Sequence, residues 1–330
     1  MKVGEMIAPR AAYGEALAAL AAEDDRVVVL DADVATSTMT AKVRDACPRS
    51  FYQVGIAEQN MMGIAAGMST LGLVPYACTF AVFASKRAAD QVSISIAYPA
   101  LNVKISGAYG GIPTGKAGAT HQAVEDLAIM RAMPNMTVVA PADAVETAQA
   151  VRAARDWPGP VYLRTVRCPV PVLFGPEHRF EIGRATPLRE GRDVAIVSTG
   201  MMTAKALQAA ETLAAEGIAA GVLHVATLKP LDAEAVLAAA RGTAGVVTVE
   251  NHSVIGGLGS AVAELLCERQ PGRLVRVGLP DCFGESGDDE AVFTKLRMNV
   301  EHVVAAGRGL LGARRPAGRR AGRGRGRSRS

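Results

Sequence analysis

The chain has 330 residues, with 36 Lys+Arg against 32 Asp+Glu and a formal net charge of +4, a length that suggests about two domains of ~150 residues each. An apolar fraction of 49% and a mean hydropathy of +0.18 exclude global disorder. Eight Arg and no acid fall in residues 313–330, which leaves 28 basic against 32 acidic residues, a net −4, in residues 1–312; such a body is a poor match for a protein that grips nucleic acid across its surface.

In chain order, a helix is predicted through Ala16–Ala22, starting near Ala11, and then a buried strand at Val27–Leu30. Gln59–Thr70, rich in Ala, Met and Gly, reads as a closely packed helix, Val74–Phe80 as a strand and Arg87–Ile96 as a helix. Leu101–Ser106 is expected to be a strand that runs into a Gly-rich loop, Gly107–Gly118. A helix at His121–Met133 and a strand at Thr137–Ala140 follow. Asp143 caps a helix from Ala144 to Arg155, with Glu146 completing a capping box, and Val161–Leu163 closes a first unit, residues 1–167. Three Pro and one Gly within Cys168–Arg179 mark a linker over 168–181.

The second unit, 182–310, is expected to contain strands at Val194–Ser198, Ala219–His224, Gly245–Glu250 and Leu274–Val277. Its helices are predicted at Thr203–Glu216, at Leu258–Glu268, at Glu290–Ala306 and from the cap Asp232 to Ala240. This alternation predicts an α/β protein of two doubly wound domains. Residues 311–330, Arg-rich with Gly and Ser, are expected to be a disordered tail. Five Cys without CxxC spacing indicate neither a disulfide framework nor a zinc site. No basic-then-apolar leader and no run of about 18 apolar residues is seen, so a cytoplasmic location is expected.

Glu58 stands where an apolar stretch, Val54–Ala57, turns into a helix. A carboxylate among apolar groups can exchange a proton near neutrality, but an acid in a first turn also serves the helix dipole. His121 follows the Gly-rich loop and is either a functional residue at a strand end or a helix-start packing residue. Phe80 and Phe83 lie together at a strand end in a chain with only 4% aromatics. Arg10, Arg87, Arg164 and Arg167 could bind phosphate. The loop is no P-loop, and Gly256-Gly257-Leu258-Gly259-Ser260 is a weak phosphate signal that a tight turn before a helix explains more cheaply.

Taken in order, Gly55-Ile56-Ala57-Glu58-Gln59-Asn60-Met61, Thr79-Phe80-Ala81-Val82-Phe83 and Arg87-Ala88-Ala89-Asp90-Gln91 resemble the thiamine diphosphate enzymes of the transketolase family. Gly118-Ala119-Thr120-His121-Gln122 with Glu125-Asp126, Pro141-Ala142-Asp143, and Val249-Glu250-Asn251-His252-Ser253 with Gly256–Gly259 continue the resemblance. It implies a pyrimidine-binding domain followed by a transketolase C-terminal domain. The Gly-Asp-Gly motif of the family's diphosphate-binding domain is absent from the sequence. The resemblance therefore implies the C-terminal subunit of a split transketolase, completed by an N-terminal subunit in an α2β2 assembly. That partner would hold Mg2+ and the diphosphate, and no metal ligand is expected on this chain.

By the same resemblance, Glu58 hydrogen-bonds the cofactor's pyrimidine, Phe83 stacks on it, and Phe80 and Ile56 line the pocket. His121 is implied to contact a substrate hydroxyl, and Arg10 and Ser37 the substrate phosphate. Arg164 and Arg167 both compete for a further phosphate position, and Arg87 resembles the active-site Arg of deoxyxylulose phosphate synthases. The implied reaction moves a two-carbon ketol unit from a ketose to an aldose. Lys116 and Ala117 replace the family's acidic pair, and Tyr109 stands where a substrate His is expected, which points to an unusual sugar. Alternatives are the beta-type subunit of a 2-oxo acid dehydrogenase, a deoxyxylulose phosphate synthase fragment, or a non-enzymatic binding module whose Arg tail contacts anions.

Overall fold

The apolar runs Val27–Asp31, Val74–Phe80, Lys104–Ala108, Thr137–Val139 and Val161–Arg164 are buried throughout, which a strand achieves only when both sheet faces are covered. In the computed structural model, which describes residues 1–312, they form the parallel centre of a seven-stranded sheet. The spatial order is Thr227–Lys229, Thr137–Val139, Val161–Arg164, Lys104–Ala108, Val74–Phe80, Val27–Asp31, Phe51–Gln53. Helices Pro9–Glu23 and Ala144–Asp156 pack together on one face, over Tyr13, Leu17, Tyr76 and Val151. Helix Glu58–Thr70 covers the other through Met61, Met62 and Ala65.

A second sheet runs Leu274–Leu279, Val246–Ser253, Val194–Ser198, Ala220–His224, Thr186–Arg189, parallel except for the last strand. The chain is thus an α/β protein with two wound sheets, as expected from its alternating pattern. The two units are not independent. Strand Thr227–Lys229 leaves the second unit and pairs antiparallel with Thr137–Val139 at the edge of the first sheet. One apolar cluster runs from Leu30 and Ala77 through Val138 to Leu223, Val225 and Leu228.

Several local expectations need correcting. The helix expected at His121–Met133 begins only at Asp126. Residues Gly115–Thr120 form a 3₁₀ turn broken at Gly118, where φ is 70°, and Gln122 is held by Ile112 O and Glu285 O instead of by helical neighbours. Arg87–Ile96 is not a uniform α-helix but two π-helical segments, Phe83–Arg87 and Gln91–Ala97. Glu290–Ala306 splits into Asp289–Lys295 and Val300–Gly312 around Arg297, whose φ is 59°.

Because that last helix runs to Gly312, Leu311 and Gly312 are helical. The remainder of the expected disordered tail, 313–330, lies outside the described residues. Within the expected linker, Val170–Pro171 pairs antiparallel with Met6–Ile7, and Asp143 Oδ2 accepts from the amides of Leu173 and Phe174. Asp143 caps its helix through Glu146 N at 2.8 Å. The box is only half built: Glu146 turns to Ala142 N at 2.7 Å and to His224 Nε2 of the second unit at 2.8 Å. Among the described residues no helix is long and apolar enough to cross a membrane.

Candidate active site

Glu58 opens the helix Glu58–Thr70 and is 2% exposed. Its Oε1 accepts from Arg87 Nη1 at 2.9 Å. Its Oε2 is buried and has no hydrogen-bond partner. Such an atom costs about 1–3 kcal/mol unless something pairs with it, so the site asks for a polar ligand at Oε2. Arg87 is set by the π-turn Phe83–Arg87, in which Ala88 N bonds Phe83 O. Wide turns of this kind often mark functional positions. This one places the guanidinium carbon 4.3 Å from the Phe83 ring centroid while the same group reaches Glu58.

Around Phe83 the aromatic groups converge. Phe80 lies 5.8 Å from Phe83 and 4.5 Å from Tyr109, centroid to centroid. His121 meets the edges of both Phe rings, at 5.9 and 5.5 Å. Its Nδ1 is tied to Thr120 Oγ1 at 2.9 Å, so Nε2 is the nitrogen left for a ligand. An open cleft of about 600 Å³ is lined by Phe83, Lys86, Arg87, Thr120 and, from the second unit, Phe283. A larger cleft, about 770 Å³, lies under helix Ala233–Ala240 of the second unit, and none of the residues singled out from the sequence lines it. The first cleft instead carries Phe83 and Arg87, with Lys86 and Thr120 beside them.

Tyr109 is the bridge to a cationic rim. Its φ of 61° is left-handed, a conformation that costs a non-Gly residue roughly 1–2 kcal/mol. Arg10 lies over its ring at 5.5 Å and Arg167 at 5.8 Å. Arg10 donates to Ser37 O at 2.9 Å, Tyr109 Oη at 3.5 Å and Arg167 O at 3.3 Å. Ser37 is therefore joined to the rim through its carbonyl. Its loop is fixed from below by Asp31, which accepts from Thr38 Oγ1, Thr40 Oγ1 and Val34 N. Sequence reading passed over Asp31, since a buried acid inside an apolar run is legible as a support only once its partners are in place.

The two competing arginines separate. Arg164 is buried, with its Nε 2.7 Å from Asp126 Oδ2 and its Nη2 on Asp126 Oδ1, Ala123 O and Asn251 O. It is a structural cation with no open face for a phosphate, so its inclusion among substrate ligands is corrected. Arg167 is exposed and makes no side-chain hydrogen bond among the described residues. Ile56, placed in the pocket by resemblance, is 75% exposed on the loop before Glu58. The turn Gly256–Ser260 is closed by Glu250, which accepts from Leu258 N and Gly259 N. Burial nevertheless pushes the Glu250 carboxyl up to about 7. Among the described residues no cluster of three or more His, Cys, Asp or Glu could hold a metal.

Comparison with known proteins matches two family models along the chain: the transketolase pyrimidine binding domain over residues 5–171 and the transketolase C-terminal domain over 183–303. A 6-deoxy-6-sulfo-D-fructose transketolase subunit from a Clostridium species is 45% identical, over 90% of this chain and 92% of its own length. An apulose-4-phosphate transketolase subunit from Phocaeicola vulgatus is 36% identical, over 90% and 96%. A solved split-gene transketolase, an inactive beta4 tetramer, superposes with a TM-score of 0.88 at 53% identity, covering 94% of this chain and all of its own. With both domain models matched in order over most of its length, the chain belongs to the transketolase family.

Proposed function

We propose that the chain is the C-terminal subunit of a two-chain transketolase, transferring a two-carbon ketol unit from a ketose to an aldose with thiamine diphosphate. The observation that carries this reading is the unpaired, buried Oε2 of Glu58, whose partner Arg87 lies over the Phe83 ring. A flat heteroaromatic ring with a nitrogen to hydrogen-bond answers both features, and the aminopyrimidine of thiamine diphosphate is such a ring. When bound, the cofactor supplies the electron sink for breaking the carbon–carbon bond.

The chain's own residues do the rest. Glu58 holds or passes a proton at Oε2, and Arg87 fixes its rotamer through Oε1. Phe80 and Phe83 exclude water and offer ring faces. His121, restrained at Nδ1, presents Nε2 to a substrate hydroxyl. Arg10 and Arg167, over Tyr109, receive the anionic end of the sugar, with Ser37 at the same rim.

Mg2+ and the diphosphate fall to an N-terminal partner subunit in an α2β2 assembly. Similarity to proteins that are themselves named subunits, over most of their length, supports this. Ile56, exposed beside Glu58, would then meet that partner or the cofactor it brings. The sugar is anionic and outside the usual pentose and hexose phosphates, a reading supported by Tyr109, Lys116 and Ala117 and by relatives acting on a sulfosugar and on apulose 4-phosphate. We read the enzyme as cytoplasmic and as part of carbohydrate metabolism.

Reconstitution tests the proposal. The chain alone should be inactive, and adding a partner that carries Gly-Asp-Gly should give cofactor-dependent ketol transfer. Pyruvate decarboxylation by the pair, or full activity of the chain alone, would overturn it.

A further inference from the structure

The second domain supplies none of the groups assigned to cofactor or anion, yet it reaches the site. Beyond Val249, strand Val246–Ser253 leaves its pairing with Val194–Ser198 and carries Glu250–Ser253 against the first domain. There Asn251, 2% exposed, meets the loop that follows Tyr109. Its Oδ1 accepts from Ile112 N at 2.9 Å and its Nδ2 donates to Gly110 O at 3.3 Å. Its own carbonyl accepts from Arg164 Nη2 at 2.9 Å. Between those two loop residues, Gly111 has a φ of 78°, and a Cβ there would stand 2.1 Å from Asn251 Nδ2. The loop admits the amide only because position 111 has no side chain.

The same strand end also holds the far side of His121. Ser253 N donates to Val124 O at 2.8 Å, and Ala128 N donates to His252 Nε2 at 3.3 Å. Gln122, next to His121, bonds Ile112 O and, from the second domain, Glu285 O, each at 3.0 Å. Tyr109 is therefore followed immediately by backbone, and His121 by a side chain, that the second domain holds. A purely packing role at position 251 would be met by an apolar residue; here both arms of an amide are matched to successive backbone groups of one loop. None of these contacts involves Glu58, Phe83 or Arg87, the groups assigned to the cofactor.

We infer that Asn251 is a positioning residue: through Gly110 and Ile112 it holds Tyr109, and with it the cationic rim, in the geometry that receives the sugar. This rests on the proposed function, and it adds that substrate fit is set from the second domain. The loop it shapes, Gly107–Gly118, contains Tyr109, Lys116 and Ala117, the residues that depart from the family's pattern.

The test compares Asn251→Ala with Thr248→Val in the pair reconstituted with its N-terminal subunit. Thr248 lies on the same strand, is buried, and its hydroxyl is unpaired, so its isosteric replacement controls for disturbance of the strand. Asn251→Ala should lower kcat/KM for the sugar about 10- to 100-fold, mainly through KM. The concentration of thiamine diphosphate giving half activity should stay within twofold, and Thr248→Val should resemble the wild type. Hydrogen exchange should rise in residues 107–118 and stay unchanged in strand Ala220–His224. Wild-type KM in Asn251→Ala, or parallel losses for sugar and cofactor, would overturn the inference. If the wild-type pair shows no ketol transfer, the functional reading fails, and unchanged exchange in residues 107–118 would separately overturn the clamp.

Discussion

Glu58→Gln changes one atom's chemistry and almost none of its shape. The amide still offers Oε1 to Arg87, so the 2.9 Å contact can persist. The pair is also a weak contributor to stability, because Arg87 is 49% exposed although Glu58 is 2%. Solvent screening on the arginine side reduces its worth to below about 1 kcal/mol, and for a chain of this size that corresponds to a shift of no more than about 3 °C in Tm. What the substitution removes is the carboxylate at Oε2, the group we propose for the cofactor's ring nitrogen. Proton handling by a positioned side chain contributes about 10²- to 10⁴-fold, equivalent to roughly 3–5 kcal/mol of transition-state stabilisation. The reconstituted Glu58→Gln pair should therefore lose at least about a hundredfold in kcat while its melting temperature hardly moves. Steady-state ketol transfer and a thermal melt on the same preparation decide the matter. Turnover within threefold of wild type would refute the role of Oε2.

The two arginines should diverge. Arg167→Ala should raise KM for the anionic sugar about tenfold with an unchanged Tm. Arg164→Met strands Asp126 as a buried, unpaired charge and should cost about 3–5 kcal/mol, seen as a Tm lower by about 10 °C; the opposite pattern would restore Arg164 as the anion ligand. Acid should loosen the contact between the domains at Glu146. Burial alone would raise that carboxyl, but His224, His178 and the Ala142 amide outweigh it and hold it down to about 2. Its contribution is therefore complete above the ordinary value of 4.5 and is lost as pH falls from there towards 2. Urea midpoints over that range should fall for the wild type and much less for Glu146→Gln; equal slopes would count against this assignment.

Much of the fold was legible because its signals are local. Val74–Phe80 and Val194–Ser198 have the bounds that their apolar runs suggested, and Asp143 and Asp232 cap the expected helices. What escaped reading depends on residues far away in the chain. The stretch from His121 to Glu125 has helical composition, but Gln122 is claimed by Ile112 and Glu285, and the helix waits until Asp126. Thr227–Lys229 is too short to announce a strand and pairs with the other domain's sheet. Arg164 and Arg167 are alike in sequence, and only Asp126, brought beside the strand by folding, shows which one is sequestered. Phe80, Phe83 and His121 are in mutual ring contact and Arg87 links Glu58 to Phe83, whereas Asn251 gave no signal of a part in the site because its partners lie in Gly110–Ile112.

The strand that crosses between the domains also governs the order in which the protein can be completed during synthesis. The first sheet has six of its strands by residue 164, but the seventh, at the edge beside Thr137–Val139, arrives only with residues 227–229. Until then a nascent chain carries the open backbone edge of a buried, apolar strand, the kind of surface that pairs with whatever extended segment it meets. A gene cut at the linker would make that exposure permanent. The first half on its own should aggregate, and adding back the second half as a separate chain should rescue it only when both are present as the edge emerges.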